Sequence, residues 1–272
     1  MDSATRPLPV VLSIAGSDSG GGAGLQADLR TFSALRAHGV FAVTALTAQN
    51  TREVRHIQLA SCESVREQMR AVYDDFPVAA VKTGMLGSRE IAETVAASLA
   101  ELNSAPVVVD PVLNAQSRGV LLPPDALETL EKLLFPLATL VTPNLPEAEA
   151  LLGRAIPAGM QELEIAAREL MKFGPKAVLI KGGHAEGSRA DDLFFDGQKF
   201  RVFSAPRIQT SSTHGTGCTL SSAIAAHLAR GLKLCEAIQK AKEFVTEAMK
   251  SASALGGGHG PLHHFHEFYR SS

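Results

Sequence analysis

One short stretch combines an anion-binding geometry with an ionisable thiol: His214-Gly215-Thr216-Gly217-Cys218-Thr219-Leu220. Apolar residues at helical spacing follow it (Leu220, Ala223, Ile224, Leu228), so a buried helix is expected to begin here. The first N–H groups of a helix have no intrahelical partner and carry the positive end of its dipole. They form a natural seat for phosphate. Glycines at 215 and 217 let the backbone come close to such a ligand. A cysteine on that first turn is expected to have its thiol pKa lowered toward neutrality. The pattern suggests group transfer from a phosphate. The plain alternative is a helix start with a small buried cysteine.

Further polar residues fall just after apolar, strand-like runs. Asp110 ends Val107-Val108-Val109, Lys181 ends the run 177–181, and Asn144 and Glu147 follow the run 139–142. In open α/β sheets ligands bind at the carboxyl ends of strands, so these side chains can meet on one rim. Phosphoryl transfer needs a cation for the phosphates, carboxylates for Mg²⁺ and an anion cradle. Lys181 fits the first role and Asp110 and Glu147 the second, directly or through water. A glycine-rich turn, Gly16-Ser17-Asp18-Ser19-Gly20-Gly21-Gly22-Ala23-Gly24, follows a first apolar run. It lacks the Lys-Ser/Thr of a phosphate-binding P-loop and fits the dinucleotide fingerprint poorly. A small-molecule contact or a flexible loop are the readings it leaves.

The elements that must hold these residues alternate from end to end. Strands are expected at 10–15, 40–48, 78–82, 107–110, 139–142 and 177–181. Helices are expected at 25–37, 64–73, 89–102, 125–134, 162–172, from Leu220 onward, and at 234–254. Residues 193–195 and 200–203, joined across Asp196-Gly197, read as a hairpin. Such alternation implies a three-layer α/β/α fold with a mainly parallel central sheet. No repeat or linker interrupts it, so one domain, 10–272, is expected after a polar tail, 1–9.

Bulk properties narrow the function. In 272 residues the net charge is −2, with 45% hydrophobic and 20% charged residues. This is ordinary globular composition, without the basic excess that nucleic acid or an anionic membrane would require. No apolar run is long enough to span a bilayer. Cys62, Cys218 and Cys235 show neither zinc spacing nor a disulfide framework, and no signal pattern opens the chain. A soluble cytoplasmic protein is expected.

The motifs together resemble a known family. The stretches are Ala15-Gly16-Ser17-Asp18 through Gln26-Ala27-Asp28, Thr44-Ala45-Leu46-Thr47-Ala48-Gln49-Asn50-Thr51, Lys82-Thr83-Gly84-Met85-Leu86, Thr142-Pro143-Asn144-Leu145-Pro146-Glu147, Ile180-Lys181-Gly182-Gly183-His184 and the Cys218 loop. Over nearly the whole chain they resemble the bacterial hydroxymethylpyrimidine and hydroxymethylpyrimidine-phosphate kinases of thiamin synthesis, which have a ribokinase-like fold. The resemblance implies ATP, Mg²⁺ and a small pyrimidine as ligands, and a homodimer. It implies that the pyrimidine is held by the 16–23 loop (Gly16 and Ala23), Gln49 and Met85, with Asp28 and Val112 nearby. Asn144 and Lys181 would serve ATP, Asp110 and Glu147 the metal. Gly215, Thr216 and Gly217 would cradle the phosphoryl group, and Cys218 would be the base that deprotonates the hydroxymethyl group.

One departure stands out. Where the family usually carries a lysine after Asp110-Pro111-Val112, this chain has Gln116, with Arg118 two residues on. Residues 115–121 are also the expected lid. Two rivals follow: a pyridoxal or pyridoxine kinase, and a pyrimidine-binding sensor with weak transfer. The histidines at 259, 263, 264 and 266 follow no metal-ligand spacing and are expected to form an ordered terminal loop.

Overall fold

The structure, a computed structural model, describes residues 7–113, 125–182 and 188–269. In chain order it contains β1 (Val10–Ala15), α1 (Gly24–Ala34), β2 (His38–Val43), β3 (Ala45–Gln49), β4 (Val54–Leu59), α2 (Cys62–Asp75), β5 (Val78–Thr83), α3 (Arg89–Leu102) and β6 (Val107–Val109). These are followed by α4 (Asp125–Thr129), β7 (Leu140–Val141), α5 (Leu145–Leu152), α6 (Met160–Leu170), β8 (Val178–Ile180), β9 (Arg189–Phe195), β10 (Phe200–Pro206), α7 (Thr216–Ala229) and α8 (Leu234–Lys250). The main sheet has the order β10-β9-β8-β7-β6-β5-β1-β2. It is parallel from β2 to β8, and β9 and β10 close it as an antiparallel hairpin.

Alternation along the strands divides the core. Val107, Val109, Val178 and Ile180 point to one face, where they meet Val95 and Leu99 of α3 and Leu170 of α6. Val108 and Leu179 point to the other, against Phe32 of α1, Ile224 of α7 and Ile238 of α8. Helix α7 lies deepest: every residue from Thr219 to His227 is buried. Its Ser221, Ser222, Ala223, Ala225 and Ala226 are small enough to let α1 and α8 pack closely on either side.

The chain leaves β1 toward β2 on one side and returns through β5 on the other, so the strand order reverses between β1 and β5. A crevice opens outside the strand ends at such a point. Here Gly16 N–H donates to the Met85 carbonyl (3.1 Å) and Gly84 N–H to the Ile14 carbonyl (2.9 Å).

Several elements depart from expectation. The apolar run 40–48 is two strands in two sheets, because Thr44 turns the chain out of the main sheet. Its N–H donates to Ala15 O and its hydroxyl to Met85 O. The strand that pairs with β3, β4, is largely exposed and polar (Arg55, His56, Gln58), so no apolar run marked it. Helix α5 was not anticipated, although its signals are present. Asn144 and Glu147 form a reciprocal capping box, and Gly153 closes the helix in the left-handed conformation. The stretch 125–134 is one α-helical turn followed by a π-helical turn, Leu130–Leu134. The β9–β10 hairpin is as expected: Phe195 faces Phe200 across a loop of four residues, 196–199. The Asp196 carboxylate fixes it by accepting from the Gln198 and Lys199 N–H groups.

Candidate active site

The strand ends bring together two buried charge clusters, one above the other. The upper one is built on Lys181, which follows β8. Its Nζ donates to Asp110 Oδ1 at 2.7 Å and lies 3.8 Å from Glu147 Oε2. Asp110 also accepts from the hydroxyls of Thr142 (3.2 Å) and Ser221 (3.3 Å). Burial works to lower the Lys181 pKa, but the two carboxylates outweigh it and raise it, so the cation is firmly held. Glu147 is pushed up, by burial first and by Asp110, against the pull of Lys181. Two carboxylates share one lysine, and with Glu147 pushed up to about 7 the second negative charge at the rim is only partly developed at neutral pH.

This cluster faces the start of α7. A Cβ built on Gly217 would lie 3.2 Å from Lys181 Nζ and 3.7 Å from Asp110 Oδ2. Glycine is therefore what lets the lysine reach the helix N-terminus. Gly215 is constrained more tightly. Its φ is +84°, and a Cβ there would lie 1.9 Å from the Gly22 carbonyl. The Thr216 hydroxyl donates to Thr213 O at 2.7 Å and so braces the turn.

The lower cluster is sealed. Lys82 and Asp28 have fully buried side chains and meet at 2.7 Å. Asp28 also accepts from Ser13 Oγ and Ser222 Oγ, both at 2.6 Å. Burial would lower the Lys82 pKa, but Asp28 together with Cys218 and Asp110 more than offsets it and the pKa is raised. Asp28 therefore lies beneath the crevice, locked to three partners, rather than lining it.

Cys218 sits between the two clusters, and here the expectation is corrected. Its thiol is pushed up to about 11, not down toward neutrality. Burial is the largest cause. Lys82 and a hydrogen bond from Gly24 N–H pull the other way, while Asp28 and Asp110 add to the rise. The helix terminus does not win against desolvation.

On the crevice side, Met85 is 8% exposed and its sulfur packs over Gly16. Val112 is half-buried and lines a small cleft with Thr83, Gly84 and Asp110, where the Thr83 hydroxyl is buried without a partner. The 16–24 loop has a fixed internal framework. It is wound around Asp18, which accepts from Gly20 N–H (2.8 Å), Gly22 N–H (2.9 Å) and Ala23 N–H (2.8 Å). Asp18 is held below its usual pKa. Burial opposes this, but the His214 hydrogen bond at 2.8 Å and the loop N–H groups outweigh it. Gln49, carried over the crevice by β3, lies 3.3 Å from His214.

The geometry thus gathers Asp110, Glu147, Lys181 and Gly217 at one end and Gly16 and Met85 at the other, with Cys218 between and Val112 in the cleft beside Asp110. Asn144 is the cap that fixes Glu147 (2.7 and 2.8 Å). Gln116, Arg118 and the expected lid at 115–121 lie outside the described residues, as do Gly183 and His184. Sequence reasoning gave no role to Asp18, His214, Lys82, Ser13 or Ser222. Lys82 had a signal: a lone charge ending a strand of buried residues must find a partner. The histidines of the C-terminal stretch serve separate contacts, including Thr219 with His264 at 3.0 Å and His263 stacked on Tyr269. Among the described residues no three His, Cys, Asp or Glu side chains cluster as a metal site.

A three-layer fold with a parallel sheet, and an anion-seating helix start that faces a lysine–carboxylate cluster, define a kinase of the ribokinase-like class. The phosphomethylpyrimidine kinase family model matches residues 18–263, and the chain belongs to that family. The hydroxymethylpyrimidine/phosphomethylpyrimidine kinase of Rhizobium meliloti is 50% identical, covering 96% of this chain and 98% of that protein. Among solved structures, a phosphomethylpyrimidine kinase from Clostridium difficile is 42% identical, with a TM-score of 0.78 over 88% of this chain and 98% of that one. The pyridoxal kinase from Staphylococcus aureus in complex with ADP is 36% identical, with a TM-score of 0.90 over 97% and 96%.

Proposed function

We propose that this protein uses ATP to phosphorylate 4-amino-5-hydroxymethyl-2-methylpyrimidine to its monophosphate, and then the monophosphate to the diphosphate, in thiamin biosynthesis. The observation that carries this reading is the contact of Lys181 and Asp110 with Gly217, one residue from Cys218 and across the crevice from Gly16 and Met85. The ring would rest against Met85, Gly16 and Val112, with its hydroxymethyl arm toward Cys218. Lys181 and the N–H groups that open α7 would hold the transferring phosphoryl group, and Asn144 would serve ATP by keeping Glu147 in place. Asp110 and Glu147 are hard oxygen donors, a set that fits Mg²⁺ bound largely through water. When bound, the ion would neutralise charge on the phosphate oxygens.

A thiol titrating near 11 is not a standing thiolate at neutral pH. In this reading only the small fraction of Cys218 that has lost its own proton to solvent can act, and that thiolate takes the alcohol proton as the oxygen attacks phosphorus. A phosphate oxygen in the second step is already anionic and needs no base. Cys218→Ala is therefore expected to slow the first phosphorylation at least tenfold more than the second. Equal losses in single-turnover assays of each step would sink that role.

Vitamin B6 phosphorylation is the second reading, favoured by the match to the S. aureus pyridoxal kinase. The higher identity to pyrimidine kinases weighs against it. Product analysis with ATP–Mg²⁺ and either vitamin precursor decides. Pyridoxal phosphate without any pyrimidine product would overturn our reading. We read the assembly as a homodimer, supported by the exposed apolar residues Phe41, Leu46 and Leu59. Sedimentation as a monomer at assay concentration would exclude it. Among the described residues no helix is long and apolar enough to cross a membrane, which supports a cytoplasmic enzyme.

A further inference from the structure

The Asp18 carboxylate accepts from three loop N–H groups and also meets His214 Nε2 at 2.8 Å. It is 2% exposed and stays ionised, because these donors hold its pKa down against burial. A carboxylate can only accept, so His214 Nε2 must carry a proton whichever charge the ring bears. That settles what can stand beside it. Gln49 Nε2 lies 3.3 Å from His214 Nε2, an arrangement that sets one donor against another. The other end of the amide is mismatched too. Thr47 spends its only hydroxyl proton on Ser17 O at 2.8 Å, so it can only accept from Gln49, yet Gln49 Oε1 faces it at 3.4 Å.

Turning the amide by 180° repairs both contacts at once, since the oxygen and nitrogen of a glutamine have nearly the same shape and only their partners tell them apart. Oε1 then shares the one His214 Nε2–H with Asp18, as the longer arm at 3.3 Å against 2.8 Å, and Nε2 donates to Thr47 Oγ1. We infer that Asp18 and His214 are positioning residues for substrate recognition, which hold the Gln49 amide with its oxygen toward His214 and its nitrogen toward Thr47. The remaining lone pair and N–H form an acceptor–donor edge. This edge is complementary to a heteroaromatic ring with an amino group next to a ring nitrogen. It mismatches the 4-oxo tautomer, whose oxygen accepts and whose ring N–H donates. The assignment deepens the aminopyrimidine reading and rests on it for the identity of the ring, though not for the orientation of the amide.

Kinetics test the consequence. The wild-type protein is expected to prefer the 4-amino substrate over its 4-oxo analogue in kcat/KM. In His214→Leu the amide is free to turn, and the preference should fall by about tenfold or more, chiefly because the analogue gains. His214→Gln, which restores an N–H donor, should recover part of it. A purely structural role would lower both substrates equally and leave their ratio unchanged, and that result overturns the inference. Neutron diffraction from wild-type protein exchanged into D₂O reads the amide without substrate or mutation. The ND₂ group is expected toward Thr47, and an ND₂ group toward His214 also overturns it. A protein that phosphorylates only pyridoxal would instead refute the aminopyrimidine reading, while the neutron result still decides the orientation.

Discussion

Lys82 with Asp28 and Lys181 with Asp110 are the same chemical pair at the same separation, 2.7 Å. Both aspartates accept two further hydroxyl hydrogen bonds. The pairs differ in access and in charge balance. The Lys82 pair is wholly shielded and neutral as a unit. Lys181 keeps 12% of its side chain exposed and answers to a second carboxylate, Glu147. A neutral, sealed pair has nothing to offer a ligand, and its role is to fix α1, β1, β5 and α7 relative to one another. The open pair has a second carboxylate, Glu147, whose ionisation is held back by burial, and it can change partners when phosphate and a cation arrive. Identical side chains therefore become foundation or machinery according to what surrounds them.

The contrast is broken most severely by Lys82→Met. Removing one partner of a buried ion pair costs about 3–5 kcal/mol, because the other charge is left unpaired. A loss below about 1 kcal/mol in urea unfolding would show the pair to be dispensable. Lys181→Met should do the reverse. It should lower turnover by about 10²–10³-fold, the effect of deleting a preorganised charge stabiliser, with a smaller loss of stability than Lys82→Met. If the two variants lose stability equally, the distinction fails.

Cys218 reports on both pairs and sharpens the comparison further. Its alkylation by iodoacetamide, followed by mass spectrometry of its peptide, should be slow at pH 8 and rise about tenfold per unit toward its pKa near 11. Removing the Lys82 cation should slow it further at every pH below that value. Faster alkylation in that variant would contradict the electrostatic assignment. The smallest expected effect belongs to Asn144→Ala, about 1 kcal/mol in thermal unfolding for a lost helix cap. Because that cap also restrains Glu147, the KM for ATP should rise while the lower pair is undisturbed.

How much of this was legible depended on which residues faced what. Strands buried on both faces, such as Val107–Val109, read as apolar runs, so the sheet and its rim of Asp110 and Lys181 could be located in advance. The break at Thr44 and the strand β4 could not, since β4, with Arg55, His56 and Gln58 exposed, carries no apolar run to detect. Pairings between distant positions were equally silent. Asp28 and Lys82 are 54 residues apart, and Asp18 and His214 are 196 apart. The thiol of Cys218 was misjudged because helix position can be read from sequence whereas desolvation cannot.

The segment from Gly258 to Pro261 ties distant loops together. Gly258 and His259 donate to the Thr51 hydroxyl and carbonyl, Gly260 donates to Ser211 O, and its own carbonyl receives the His214 N–H. Both the Gln49 hairpin, made early in synthesis, and the His214 loop, made late, are moored to it. A nascent chain that has emerged only as far as α8 holds every strand of the sheet, but those two loops are then joined only by their direct contacts through Gln49, Asp18 and His214. Those two loops are thus expected to gain their full restraint only once that short stretch has been made.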